Sequence, residues 1–263
     1  MPKSRTLLPA RPTPLRPHKR AIVVGASSGI GAALARRLAR EGYLVAALSR
    51  RTDRLEALCD EINQAAGETR AVAYTHDVTE YAAVPGLLQK ILADLGGLDL
   101  FVYNAGAALP TGFKHYNFAK DLQTTEVNYL GALAWLNPVA ALFQSQGAGT
   151  IVGTSSVAGE RGRIGNPSYN ASKAALSSYL ESLRNRLTRR GIHVLTVKPG
   201  YVATELTQGQ KGLFWVVSAD QAAADIWKAV RRRKQDLYVP GRWRLVMFIV
   251  RNIPSFIFRR LSF

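Results

Sequence analysis

From residue 21 onward, short apolar runs alternate with longer stretches in which apolar residues recur every three or four positions. AIVV (21–24) is an unbroken apolar run that ends in Gly25. Residues 29–41 follow, with Ile30, Leu34 and Leu38 four apart, which predicts a helix with one buried face. LVAAL (44–48) predicts a second strand. Residues 53–66 predict a helix with Leu55, Leu58 and Ile62 on one side. AVAY (71–74) and LDLFVY (98–103) predict further strands, with a helix over 84–92 between them. TIVGTS (150–155) and HVLTV (193–197) flank a long helical pattern near 168–189. Apolar runs without polar alternation indicate strands buried on both faces. Strands alternating with helices indicate a parallel sheet wound with helices on both sides. The expectation is a single doubly wound α/β domain over 21–240, with its ligand at the carboxyl ends of the strands.

Composition changes this picture only at the ends of the chain. Hydrophobic residues make up 47%, ample for a core, and Cys59 is the single cysteine, which suits a reducing, cytoplasmic setting. The net charge of +17 suggests a nucleic-acid binder at first sight. Its distribution argues against that. Residues 1–20 carry six Lys/Arg, no acid and five prolines, and read as a disordered basic arm. Residues 231–263 carry nine Lys/Arg against one acid, Asp236. The middle is close to neutral. No nucleic-acid partner is expected. The four histidines (His18, His76, His115 and His193) have no ligand spacing, so no metal is expected.

Two positions announce a dinucleotide. The first strand runs into GASSGIG, where Gly25, Gly29 and Gly31 allow a tight turn. Ser27, Ser28 and Ile30 lie beside a helix N-terminus that can receive a pyrophosphate. The second strand ends in LSRR. No acid stands where the ribose 2′-hydroxyl of NAD would be bound, and Arg50 is placed to pair with the 2′-phosphate of NADP. NADP(H) is the expected cofactor.

Tyr-x-x-x-Lys occurs twice. Tyr169 and Lys173 open a helical segment, one above the other, with Ser156 thirteen residues upstream. Tyr116 and Lys120 have no such serine and read as coincidence. At this point the sequence resembles the short-chain dehydrogenase/reductase family over about 21–240. The resemblance rests on GASSGIG (25–31), HDV (76–78), NAG (104–106), Asn128 in VNYLG, SSVAG (155–159), YNASK (169–173) and KPGYVAT (198–204). It implies a Rossmann fold and transfer of a hydride between nicotinamide and a carbonyl or secondary alcohol. Tyr169 would handle the proton on the substrate oxygen, Ser156 would hydrogen-bond that oxygen, and Lys173 would hold the ribose and, together with the positive nicotinamide, lower the tyrosine pKa. Asn128 would hold a water that relays protons to Lys173. Asp77 and Val78 would meet the adenine. Asn104, Ala105 and Gly106 would line the cofactor, and Pro199, Gly200, Val202 and Thr204 would lie beside the carboxamide. Tyr103, where the family often has asparagine, is expected to leave the chemistry unaffected.

Three further expectations concern partners. Residues 205–220 fall where the family carries its substrate loop. The apolar run 213–217 reads either as a greasy pocket wall or as ordinary packing. The tail 242–263 mixes five arginines with large apolar residues, too short a run to span a bilayer. It reads as a membrane-surface contact, as a cover on the cleft or as packing on a partner subunit, and removing it is expected to change turnover of a small soluble ketone little. The first of these readings makes a lipophilic ketone or alcohol substrate more attractive, such as a steroid, retinoid or long-chain oxo-lipid. The resemblance also suggests a homodimer or homotetramer built on the helices near 129–146 and 168–189. A catalytically silent NADP(H)-binding sensor is the alternative. The complete set of Asn128, Ser156, Tyr169 and Lys173 argues against it.

Overall fold

A computed structural model describes residues 19–210 and 212–261; the disordered-arm reading for residues 1–18 falls outside them. β1 (Lys19–Val24) starts two residues before the apolar run. The cause is Arg20, which the sequence reading assigned to the arm. Its backbone N–H and Nε donate to Asp99 Oδ2 at 2.8 and 2.9 Å, and Nη2 donates to Oδ1 at 3.0 Å. This bidentate pair fastens the first strand to the residue just before β4.

The chain then alternates as expected. α1 (Gly29–Arg40), β2 (Tyr43–Ser49), α2 (Thr52–Ala66), β3 (Ala71–Thr75), α3 (Val84–Leu95) and β4 (Leu100–Tyr103) form the first half. α4 (Phe118–Thr125) runs through a π turn (Glu126–Leu130) into α5 (Gly131–Gln146). β5 (Thr150–Thr154), α6 (Pro167–Leu187) and β6 (His193–Pro199) follow. The short strands β7 (Val202–Ala203) and β8 (Val217–Ser218) pair with each other and bracket the loop 204–216. α7 (Ala219–Arg231) and β9 (Asp236–Val239) complete the sheet, and α8 (Trp243–Asn252) and α9 (Ser255–Phe258) end the described chain.

Seven parallel strands lie in the order β3-β2-β1-β4-β5-β6-β9. The order reverses between β1 and β4, and there an open sheet presents its ligand crevice. One face buries apolar side chains of α1, α2 and α7, including Leu34, Leu38, Leu55 and Ile226. The other buries α3, α5 and α6, through Ile91, Trp135, Phe143, Leu176 and Leu180. β1 contributes Ala21 and Val23 to the first face and Ile22 and Val24 to the second, the period-two alternation of a central strand. Cys59 is buried in α2, and burial raises its thiol to about 11, so it acts as a small hydrophobe.

The tail is more than an appendage. α8 turns Trp243, Met247 and Val250 inward onto Val157 and Tyr238. Arg161 Nη1 donates to the carbonyls of Val250 and Arg251 at 2.9 and 3.0 Å, satisfying the end of α8. Its guanidinium also lies 4.1 Å from the Phe258 ring centroid. Buried Glu160 accepts from Lys198 at 2.7 Å and pairs with Arg251 at 3.2 Å. Through these contacts the tail braces the turn that follows Ser156.

Candidate active site

The β1–α1 turn forms one wall. Gly25 has φ +85°, and a Cβ there would lie 2.6 Å from the Ala105 backbone nitrogen. Only glycine lets this turn pass against the segment after β4. Gly31 is packed behind it, where a Cβ would meet the Gly25 carbonyl oxygen at 2.0 Å. Ser28 is the N-cap of α1 in extended geometry, and its side chain makes no cap bond. The first-turn N–H groups of α1 therefore remain available to an anion.

β2 delivers Arg50 and Arg51 to the same end of the cleft, and the two differ in direction. Arg50 turns toward Asp77, at 3.4 Å. Arg51 donates through Nη2 to Ser27 Oγ at 2.9 Å and to Ser28 Oγ at 2.6 Å. Both arginines line the cleft, and Arg51 is the one that points at the serines of the glycine-rich turn. Asp77 is occupied locally, its Oδ1 accepting from the Thr79 backbone at 3.0 Å and from the Thr79 hydroxyl at 2.8 Å.

The opposite wall comes from β5 and α6. Ser156 follows β5, its Oγ accepting from Ala158 N at 3.0 Å. The turn after it lies directly on α6: a Cβ on Gly159 would sit 2.7 Å from the backbone of Lys173 and Ala174. Ser155, which sequence reasoning passed over, pins α6 by donating to the Lys173 carbonyl at 2.8 Å. The doublet of serines in SSVAG is the signal that could have found it. This close approach brings Tyr169 and Lys173, one helical turn apart, to Ser156. Lys173 Nζ donates to the Thr154 carbonyl at 2.9 Å and lies 5.9 Å from the Tyr169 ring centroid.

Burial is the largest influence on the Tyr169 phenol and holds its pKa above the ordinary value, while a hydrogen bond from Ser156 and the charge of Arg163 pull the other way. Burial also draws Lys173 down to about 8. Among the protein's own groups, desolvation prevails over the influences that lower the phenol. Tyr116 is almost wholly exposed and Lys120 Nζ reaches the Pro110 carbonyl at 3.2 Å, so the second Tyr-x-x-x-Lys does not reach the cleft.

Asn128 sits in the π turn and is fully buried. Its Oδ1 accepts from Ala107 N at 2.8 Å, and its Nδ2 donates to the Ala107 carbonyl at 2.9 Å and to Ser172 Oγ at 3.0 Å. It ties the strand end after β4 to α6. Tyr103 has a structural use here: its hydroxyl donates to the Val127 carbonyl at 2.6 Å and so steadies the turn that holds Asn128. Gly106 lies between Asn128 and Lys173; a Cβ there would be 3.4 Å from each side chain's polar end.

These walls enclose a cleft of about 450 Å³. Gly25, Ser27, Ser28, Gly29 and Ile30 line it at one end with Arg50 and Arg51, and Val78, Asn104, Ala105 and Gly106 line its floor. Ser156, Tyr169, Lys173, Pro199, Gly200, Val202 and Thr204 line the other end. Gly31, Asp77 and Asn128, also read as site residues, lie behind the lining and support it. The arrangement fits an elongated ligand with an anionic middle: open helix N–H groups, guanidinium at one end, and a hydroxyl, phenol and amine at the other. Trp243 lies against Gly200, where Phe214 and Trp215 of the loop 204–216 meet it with ring centroids 5.3 and 5.6 Å apart, and Tyr201 joins them. Of the 213–217 run, Phe214 and Trp215 pack into this ring cluster, and Phe214 remains about half exposed.

Known proteins agree with this geometry. A family model for the short chain dehydrogenase matches residues 19–212. An oxidoreductase of Myxococcus xanthus is 42% identical over 190 residues, covering 72% of this chain and 74% of that protein. An oxidoreductase of Mycobacterium tuberculosis is 30% identical over 247 residues, covering 93% of this chain and 98% of that protein. Among solved structures, actinorhodin polyketide ketoreductase with NADPH superposes with a TM-score of 0.77 at 25% identity, over 84% of this chain and 95% of that one. A short-chain dehydrogenase from Sphingobium yanoikuyae in complex with NADPH gives 0.78 at 26% identity, over 90% and 97%. The chain belongs to the short chain dehydrogenase family.

Proposed function

We propose that the protein is an NADP(H)-dependent carbonyl reductase acting on a lipophilic ketone or aldehyde. The observation that carries this is the meeting, in one cleft, of Ser156, Tyr169 and Lys173 with a glycine-rich turn whose serines are held by Arg51. Solved relatives crystallised with NADPH support the choice of cofactor.

When bound, NADPH supplies the hydride that reduces the carbonyl carbon. Arg51 and Arg50 receive its 2′-phosphate, and the start of α1 with Ser27, Ser28 and Ile30 holds its pyrophosphate. Thr204 and the segment from Pro199 to Val202 orient the carboxamide end, and Asn104, Ala105 and Gly106 support the ring. Ser156 donates a hydrogen bond to the substrate oxygen as negative charge grows there. Tyr169 gives that oxygen its proton, and a phenol kept protonated by burial suits this direction at neutral pH. Lys173 binds the ribose, and Asn128 keeps Lys173 and Gly106 in register.

The aromatic cluster of Tyr201, Phe214, Trp215 and Trp243 supports an apolar substrate of the steroid, retinoid or long-chain oxo-lipid type. No helix among the described residues is long and apolar enough to cross a membrane. The outer face of α8 exposes Leu245, Phe248 and Ile249 beside Arg244 and Arg251, which supports peripheral contact of a cytoplasmic protein with an anionic membrane surface. Small residues along α6, Ala171, Ala174, Ala175 and Ser178, support a homodimer or homotetramer through close helix approach.

The test is NADPH turnover against a panel of hydrophobic ketones, with Tyr169→Phe beside the wild type. The variant should lose ~10²–10⁴-fold in rate while its NADPH affinity stays within about twofold. A variant keeping more than about a tenth of the rate would require another acid.

A further inference from the structure

Glu205 follows Thr204 directly and opens the substrate loop in the short turn Glu205–Thr207. Its carboxylate is turned back toward the cofactor end of the cleft. Oε2 accepts from Arg51 Nη1 at 2.7 Å and from Ser28 Oγ at 3.2 Å, and Oε1 accepts from Arg54 Nη1. Three separate pieces of chain meet at this one anion: the glycine-rich turn, the start of α2 and the substrate loop. Neither arginine has another carboxylate partner among the described residues. The two guanidinium groups hold Glu205 at about 2, so it is ionised at every working pH.

The same donors are the ones a 2′-phosphate needs. A phosphate monoester carries nearly two charges and three acceptor oxygens and prefers forked guanidinium partners. Arg51 and Ser28 cannot serve it fully while they hold Glu205, and the two anions repel each other. We propose that Glu205 is an internal competitor for the 2′-phosphate. The carboxylate fills the phosphate pocket, a 2′-phosphorylated adenine dinucleotide must displace it, and the displacement releases the first turn of the substrate loop. Arg54, freed by the exchange, joins Arg51 in reading the phosphate. A cofactor without the phosphate leaves Glu205 clasped. The two positions of Glu205 are the two states, and the phosphate is the group that distinguishes them. The inference rests on the reading that this cleft takes a nicotinamide dinucleotide.

The experiment is equilibrium calorimetry of NADP⁺ and NAD⁺ on the full chain and on Glu205→Gln, with amide exchange followed over 205–210. Exposed ion pairs are individually weak, so the expected gain is modest. Glu205→Gln should tighten NADP⁺ by about two- to tenfold and leave NAD⁺ unchanged. Adding Arg54→Ala to that variant should weaken NADP⁺ and not NAD⁺. Adenosine 2′,5′-bisphosphate, which lacks the nicotinamide half, should speed exchange over 205–210 in the wild type, whereas adenosine 5′-monophosphate should not. Weaker NADP⁺ binding by Glu205→Gln, or an equal gain for NAD⁺, would overturn the proposal. A wild type that binds neither dinucleotide overturns the cofactor reading and this inference together. A wild type that prefers NAD⁺, with NADP⁺ still gaining selectively in Glu205→Gln, overturns NADP preference and leaves the competitor standing.

Discussion

Lys173 is a buried amine with one hydrogen-bond acceptor, the Thr154 carbonyl, and burial draws it down to about 8. The sign for activity follows. Below that pH the ammonium is present to hold the ribose and to support the proton given up by Tyr169; above it the charge is lost. The value of kcat/KM for reduction should therefore fall as pH rises through about 8. Lys173→Arg, charged throughout this range, should remove that limb even at a lower absolute rate. A limb unchanged in the Arg variant would assign it to another group. The proposed selection of NADP over NAD also comes down to single residues. Arg51→Ala should weaken NADPH relative to NADH by roughly tenfold, and Arg50→Ala by less, since Arg50 is directed at Asp77; titration by nucleotide fluorescence would rank them. The order of these two arginines was not legible beforehand. A strand alternates its side chains, but β2 ends at Ser49, and past its end the sequence does not say which neighbour turns inward. Tyr169, Lys173 and Ser156 were legible because a helical turn and a strand end fix their directions.

At the scale of elements, periodicity located α1, α2, α3 and the inner strands to within a few residues, because each buries a continuous apolar face. β9 escaped notice: it has four residues, lies at the sheet edge and follows a run of basic residues. α4 and its π turn carry mixed patterning, since the turn's function is to aim Asn128 rather than to bury a stripe. The tail was legible as amphipathic, but its inner partner was not. Arg161 and Glu160 give no local sign that they will meet residues some ninety positions later. Arg161→Ala leaves the last carbonyls of α8 without their donor and should cost about 1–3 kcal/mol, read as a lower Tm. Deleting 242–263 removes buried Trp243, Met247 and Val250 as well. It should cost more than Arg161→Ala and should lower turnover even of a small soluble ketone. Full activity in the deletion would show that the turn after Ser156 needs no brace.

For the whole molecule, charge and apolar surface gather at the same end. The outward residues of α8 and α9, Leu245, Phe248, Ile249, Phe256 and Ile257, share that region with Arg244, Arg251, Arg259 and Arg260. The full chain should float with anionic liposomes at low salt and be released as salt rises. Replacing Leu245, Phe248 and Ile249 by serine should abolish flotation with the Tm unchanged. If the triple variant instead converts an oligomer to a monomer by light scattering, that face is a subunit contact and the membrane proposal fails. The net charge pointed to nucleic acid only until its position along the chain was considered.

The strand order carries a consequence for synthesis. β1 is translated first yet lies inside the sheet, with β2 on one side and β4 on the other. β2 and β3 can pair as they leave the ribosome, while the second edge of β1 stays bare until β4 arrives. The sheet then grows away from β1 in the other direction, and β9 with α8 comes last. A chain released before that point already holds Ser156, Tyr169 and Lys173 but not the helix clasped by Arg161. An interrupted translation product would thus contain every reacting side chain and still be a poor catalyst, prone to association through an unfinished sheet edge.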